Sequence, residues 1–213
     1  MINIQGKLDR KISVACSGGV DSMAVVDFLS RNHNIDLMFF DHGTETSADA
    51  RQFLTEFVEN RNRQFKRLPR ATTMTLTVGE IQRQKNKRES QEEYWRNQRY
   101  EFFHGFEDRQ IITCHHLDDC VETWIFSSFH GEGKIIPYSN MNVIRPFRMN
   151  RKTEFVNWCR RNSVPWIEDE SNEDVKYMRN FIRHELMPKV LVINPGIHRV
   201  VSRKVAEDEP KTS

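Results

Sequence analysis

Between two apolar runs, one carrying Ile12, Val14 and Cys16 and the other covering residues 23–29, the chain places the hexapeptide Ser17-Gly18-Gly19-Val20-Asp21-Ser22. A short apolar run, a glycine pair and a longer run on a helical period predict strand, loop and helix. A loop that opens a helix presents unpaired N–H groups at the positive end of the helix dipole, where phosphates bind. Glycine lets an anion approach the main chain, the Ser17 and Ser22 hydroxyls can donate, and Asp21 can hold a divalent cation bridging phosphate oxygens. The loop has no lysine, so it is not the G-x-x-x-x-G-K-[ST] phosphate loop. For a bare Gly-Gly, a tight turn whose glycines serve packing alone is the competing reading.

The same alternation continues along the chain. Residues 35–40 form a second apolar run ending at Asp41, His42 and Gly43, as a buried parallel strand does. Ser47 is the expected cap of a helix with Ala50, Phe53, Leu54, Phe57 and Val58 at helical spacing, and residues 64–68 read as extended. Residues 71–87 alternate Thr with apolar side chains and then turn basic, which predicts an exposed hairpin or flexible loop. Ser90 followed by Glu93 is a capping-box signature for a helix running to Gly105. Residues 111–114 read as a strand, 121–129 as a helix, 143–146 as an extended piece and 151–161 as a helix. Residues 165–188 read as a polar turn and a further helix. Repeated βα units predict an α/β fold, doubly wound, with a mostly parallel sheet and helices on both faces.

The chain has 32 Lys+Arg against 30 Asp+Glu, so net charge alone does not point to nucleic acid. The local tract Arg83, Lys85, Lys87 and Arg88 is the better clue, with Arg179 and Arg183 as candidates to extend it. No apolar run approaches the roughly 20 residues of a membrane helix, and residues 1–6 lack the features of a secretory signal. A cytoplasmic protein with no membrane partner and reduced thiols is expected. Its cysteines, Cys16, Cys114, Cys120 and Cys159, form no C-x-x-C pair, which argues against a thiolate metal site.

A second polar cluster, His115-His116-Leu117-Asp118-Asp119-Cys120-Val121-Glu122-Thr123, follows the strand at 111–114, at the carboxyl edge where α/β ligands bind. Asp118 and Asp119 fall in the first turn of the next helix and Glu122 one turn later. Such a group suits Mg²⁺ coordination or an amine nucleophile. Acidic capping of a helix is the competing reading, and it accounts for Asp118 better than for two histidines and three acids together. Arg96 and Arg99, three apart on one helix, can grip a phosphate or merely solvate a face.

Ser17 to Ser22 resembles the S-G-G-x-D-S PP-loop of the N-type ATP pyrophosphatases. In these the loop binds the pyrophosphate part of ATP, and a substrate oxygen attacks the α-phosphorus. The second cluster resembles the H-H-x-D-D-x-x-E-T motif of the tRNA(Ile)-lysidine synthetases within that superfamily. Asp41-His42-Gly43 is similar to their D-H-G, Glu92 to Tyr100 to their E-x-x-x-R-x-x-R-Y helix, and Arg145-Pro146 to their R-P. Trp166 to Asn172 and Tyr177 to Arg183 resemble the stretches that close the catalytic domain. Thr44 and Glu45 stand where that family carries a hydrophobic residue and an arginine, and His130-Gly131-Glu132-Gly133 where it carries Arg-Gly-x-Gly.

The resemblance implies a ligase that adenylates C2 of the wobble cytidine of an isoleucine tRNA and lets free lysine displace AMP, with ATP and Mg²⁺ as cofactors. It implies Asp21, His115, Asp118, Asp119 and Glu122 as catalytic residues. For ATP it implies Ser17, Gly18, Gly19, Asp21, Ser22, Asp41, His42, Arg96 and Arg99, and for the metal Asp21 and Asp119. The expected organisation is a catalytic domain over residues 1–195 and a polar tail over 196–213, without the family's C-terminal tRNA-binding domains. The tRNA anticodon loop and free lysine are the expected partners, with the oligomeric state open, a homodimer included. Another PP-loop tRNA-modifying enzyme, or a non-catalytic RNA-binding remnant, is the alternative.

Overall fold

The computed structural model describes residues 2–65, 72–168 and 174–208. Among them, β1 (Lys11–Ala15), β2 (Asn34–Asp41), β3 (Met74–Glu80), β4 (Ile111–Ile112), β5 (Ser139–Asn140) and β6 (Val143–Ile144) form one sheet ordered β3-β2-β1-β4-β6-β5. Every neighbouring pair is parallel except the short β5–β6 hairpin.

Both faces of the sheet are covered, and β2 shows how. Leu37 and Phe39 join a core with α1 (Val20–Ser30), α2 (Glu45–Phe65) and α5 (Lys152–Asn162). Met38, pointing the other way, packs with Phe103 of α3 (Gln91–His104) and with Ile111 and Val143. Burial on two sides is why residues 37–40 carry no polar side chain, and Asp36 before them is buried but held by the Thr75 and Thr77 hydroxyls. The chain winds outward from β1 through β2 to β3, then returns to place β4 on the other side of β1. That reversal puts the loop after β1 beside the loop after β4, at the switch point where α/β sheets bind ligands.

A second apolar cluster lies beyond the sheet edge. Leu117, Val121 and Ile125 of α4 (Leu117–Ser128) pack against Ile182, Ile197, Val201 and Val205. These come from a helical stretch made of α6 (Met178–Phe181), a π-helical turn (Ile182–Leu186), α7 (Met187–Ile193) and α8 (Ile197–Glu207).

Four expectations change. The stretch predicted as a hairpin or loop holds β3, whose alternation of Thr and apolar residues is that of an edge strand with one well-packed side. Gly79 of β3 sits under the Phe102 ring, where an added Cβ would fall 2.5 Å from ring carbons, so α3 approaches the strand as closely as it does only because this residue is glycine. The extended reading of residues 64–68 fails at its start, since α2 runs through Phe65, and the remainder lies outside the described residues. Thr44, not Ser47, caps α2: its Oγ1 accepts from the Ser47 N–H at 3.2 Å. Residues 197–207 are helix α8 rather than polar tail, with Ile197, Val201 and Val205 four apart on its buried side.

Val201 is fully buried, so Val201→Asp should place an unpaired carboxylate in this core and lower the melting temperature sharply. Arg199→Asp, on the exposed side of the same helix, should change it little. Equal, small effects of both changes in thermal melts would mean that α8 is not part of the core.

Candidate active site

The loop after β1 leaves main-chain donors free at the start of a helix. Gly18 has φ +85°, a conformation side chains resist, and a Cβ there would press on Ile167 at 3.3 Å. The Gly18 carbonyl accepts from the Ile167 N–H at 2.9 Å, which ties the loop to the segment after α5. Gly19 is the N-cap of α1 and supplies no side-chain cap, so the first N–H groups of the helix remain unspent. By contrast α3 and α4 are closed by Ser90 and His116. Ser17 is exposed, whereas the Ser22 hydroxyl turns inward and donates to the Gly19 carbonyl at 2.9 Å.

Asp21 faces the second cluster. One of its oxygens, Oδ1, is buried and has no hydrogen-bond partner, while Oδ2 lies 3.6 Å from His116 Nε2. The other side of the same ring meets Asp119: its N–H donates to His116 Nδ1 at 3.2 Å, and its Oδ2 accepts from the His116 N–H at 2.9 Å. This reciprocal capping box requires an unprotonated Nδ1, which leaves the Nε2 proton directed at Asp21. Burial alone would lower the pKa of His116, but the charges of Asp119, Asp21 and Asp118 outweigh it and raise it. For Asp119, burial is likewise outweighed by the two histidines, and its carboxyl stays below the usual range.

The remaining sequence candidates divide into two groups. The charge of Arg179 is felt by Arg99, His115 and Asp119. Burial and the like charges of Arg96 and Arg179 push Arg99 below its ordinary pKa, the strain of a cationic pocket that an anion relieves. Arg96 lies over the Tyr100 ring at 5.6 Å. His115 Nδ1 meets Thr113 Oγ1 at 2.9 Å, and burial with Arg145 and Arg179 lowers its pKa to about 3. At the end of β2, Asp41 Oδ1 accepts from the Gly43 N–H at 2.8 Å. His42 sits between the rings of Phe40 and Trp95, its pKa lowered to about 4 by burial and by Arg99.

Asp118 and Glu122 are committed elsewhere. Asp118 accepts from Arg151 Nε at 3.1 Å, from the Lys152 N–H at 2.8 Å and meets His198 Nε2 at 3.0 Å, so it pins the start of α5 to α8. Glu122 is held by Arg183 through two bonds of 2.8 and 3.0 Å. Burial raises the Glu122 pKa against the pull of that guanidinium. Arg183 also approaches Asp119 at 3.6 Å. His116, Arg183 and His198 were not singled out for these positions from sequence, although His116 stands inside the motif and at the N-cap. In the basic tract, Arg83 is spent on Glu89 at 2.8 and 2.9 Å, and Lys85, Lys87 and Arg88 stand exposed on a loop.

No group of three His, Cys, Asp or Glu side chains among the described residues makes a metal cage. Mg²⁺ does not need one, because it takes one or two carboxylates and fills its shell with phosphate oxygens and water. The unpartnered Asp21 Oδ1 fits that role, with Asp119 across the His116 ring.

A family model for the PP-loop domain matches residues 2–190. The chain belongs to the PP-loop domain family. It is 31% identical over 208 residues to a tRNA(Ile)-lysidine synthase from Thermotoga maritima, covering 92% of this chain and 49% of that protein. It is 39% identical over 122 residues to a tRNA(Ile)-lysidine synthase from Legionella pneumophila, covering 53% of this chain and 28% of that protein. The chain therefore spans at most about half the length of these relatives. The U34-tRNA thiolase NcsA of Methanococcus maripaludis shares the fold, with a TM-score of 0.69 at 12% identity over 94% of this chain and 73% of that one. ATP is the ligand of PP-loop enzymes, and the α1 terminus that follows Ser17-Gly18-Gly19 carries no side-chain cap. No helix of the described residues is long and apolar enough to cross a membrane.

The buried histidines set a pH dependence. Unfolded, His42 and His115 return towards 6.5, while folded they stay neutral down to about 4 and about 3. The unfolded chain then binds more protons than the folded one, so stability falls as pH drops from 6.5 towards 4. His116, raised on folding, acts in the opposite sense: its contribution is present below 6.5 and lost as pH rises through its folded pKa. Thermal melts should show the acid limb, flattened in His115→Gln. A melting temperature constant from pH 6.5 to 4 would contradict the burial of neutral His42 and His115.

Proposed function

We propose that this chain carries out ATP-dependent modification of a tRNA: adenylation of C2 of the wobble cytidine of an isoleucine tRNA, then displacement of AMP by free lysine. The observation that carries the reading is Asp21, whose free Oδ1 stands at the phosphate loop while its other oxygen faces the His116–Asp119 pair. That nearness of the loop to the Asp21 and Asp119 carboxylates supports a single reacting centre, and the names of the relatives suggest the substrate class.

Phosphates lie on the N–H groups of the first turn of α1, with the Arg96, Arg99 and Arg179 cations balancing the remaining charge. Asp21 would hold Mg²⁺ through its free Oδ1, and the ion would supply charge neutralisation for the departing pyrophosphate. Cytidine O2 attacks the α-phosphorus, and the bond to the β-phosphate oxygen breaks. A lysine amine then forms the C2–N bond, the C2–O bond breaks and AMP leaves. The amine must enter neutral and lose a proton afterwards. Of the three sequence-assigned carboxylates we assign this proton to Asp119, because Asp118 and Glu122 each accept from a guanidinium within 3.1 Å, whereas Arg183 comes no closer than 3.6 Å to Asp119. His116, bonded to Asp119 through its ring and its N–H, positions that carboxylate.

Nucleoside mass spectrometry of an isoleucine tRNA transcript incubated with protein, ATP, Mg²⁺ and lysine tests the reading. A cytidine heavier by one lysine less one water is expected, and only when lysine is present. An unmodified transcript, or a sulfur-containing nucleoside when a sulfur donor is supplied instead, would overturn it.

A further inference from the structure

A groove of about 480 Å³ runs between α5 and α7, and its far end reaches Glu122 and Asp118 beside the reacting centre. One wall is a single face of α5: Thr153, Val156, Asn157 and Arg160, spaced three, four and seven from the first. Met187 and Leu191 of α7, four apart, line the opposite wall with Arg183. The lining is therefore apolar between helices and cationic at the rim.

The charges do not cancel. Arg151 is neutralised by Asp118 and Arg183 by Glu122, whereas Lys152 and Arg160 make no ion pair among the described residues. Two uncompensated cations over an apolar trough match a chain of alternating phosphates and flat, weakly polar bases. The volume admits about one nucleotide, too little for a duplex, and an unpaired loop offers bases that can leave the stack. Leu191, 38% exposed, presents its side chain to such a base.

We infer that this groove is where the unpaired loop of the RNA substrate lies, with its phosphates on Lys152 and Arg160 and a splayed base against Val156, Met187 and Leu191. The inference rests on the tRNA reading above for its choice of nucleic acid. It moves the RNA contact away from the Arg83–Arg88 loop, whose first arginine is already paired with Glu89.

The test is equilibrium binding, without ATP or lysine, of a fluorescent RNA hairpin with a cytidine in its loop and of a blunt RNA duplex of equal length. Lys152→Glu with Arg160→Glu should weaken the hairpin roughly tenfold or more, and losing two phosphate contacts should lower the salt slope by about 1.4. Leu191→Asp alone should also weaken the hairpin, while alanine at Lys85, Lys87 and Arg88 should not. Duplex binding should be unchanged throughout. All substituted side chains are at least partly exposed, and circular dichroism confirms folding. Wild-type affinity in the double variant overturns the inference, as does equal weakening of hairpin and duplex, or a change in the lysine KM without a change in hairpin affinity. Binding is read without turnover, so a failure to form lysidine would count against the proposed chemistry and leave this result standing.

Discussion

Asp21→Asn should reduce pyrophosphate release by about 10²- to 10³-fold, equivalent to about 3–4 kcal/mol of lost transition-state stabilisation. Asparagine keeps the shape of the side chain and an oxygen for the position now without a partner, so the change removes charge and little else. Two consequences follow from that lost charge. A metal held there would lose its anionic ligand, and His116 loses one of the carboxylates that raise its pKa. The thermal midpoint should stay near wild type, since Asp21 Oδ1 makes no hydrogen bond. Near-normal turnover in this variant, with Mg²⁺ still required, would place the metal and the chemistry elsewhere.

Arg183→Met should destabilise the fold by about 3 kcal/mol, the low end for breaking a buried pair because the Arg183 side chain is 24% exposed and Glu122 only 5%. The cost comes from stranding Glu122 rather than from losing an attraction. Burial already raises its pKa, and without the guanidinium the carboxyl is pushed further up. Acidification protonates it, so the gap between variant and wild type should narrow as pH falls towards the ordinary carboxylate range. Adding Glu122→Leu should restore most of the stability, since two apolar side chains replace two charges in the cluster of α4 and the π-helical turn. A single variant as stable as wild type at neutral pH, measured by urea unfolding, would contradict this.

The parts of the molecule legible in the sequence are those whose signal is local. The hexapeptide at 17–22 has one strand before it and one helix after it, and its glycines fix where the turn falls. The Ser90 cap and the His115 to Thr123 cluster are local in the same way: α3 begins at its cap as expected, and α4 begins at Leu117, four residues before the start read at 121. What escaped depends on partners distant along the chain. Asp118 reads as a site carboxylate until Arg151 and His198 are seen upon it, contacts that span 33 and 80 residues. Glu122 and Arg183, 61 residues apart, carry no sequence sign of their pairing. β3 was hidden because its threonines suit an exposed hairpin as well as an edge strand. In α8 the apolar stripe at 197, 201 and 205 is only three residues deep and surrounded by charge, so composition concealed it.

The most direct measurement identifies what becomes of ATP when the wild-type protein turns over with tRNA, lysine and Mg²⁺. If the phosphates of ATP lie on the α1 terminus, which has no P-loop lysine, as proposed above, phosphorus NMR of the products should show AMP and pyrophosphate in equal amounts. Formation of ADP and inorganic phosphate instead would contradict the assignment of this site to nucleotidyl transfer.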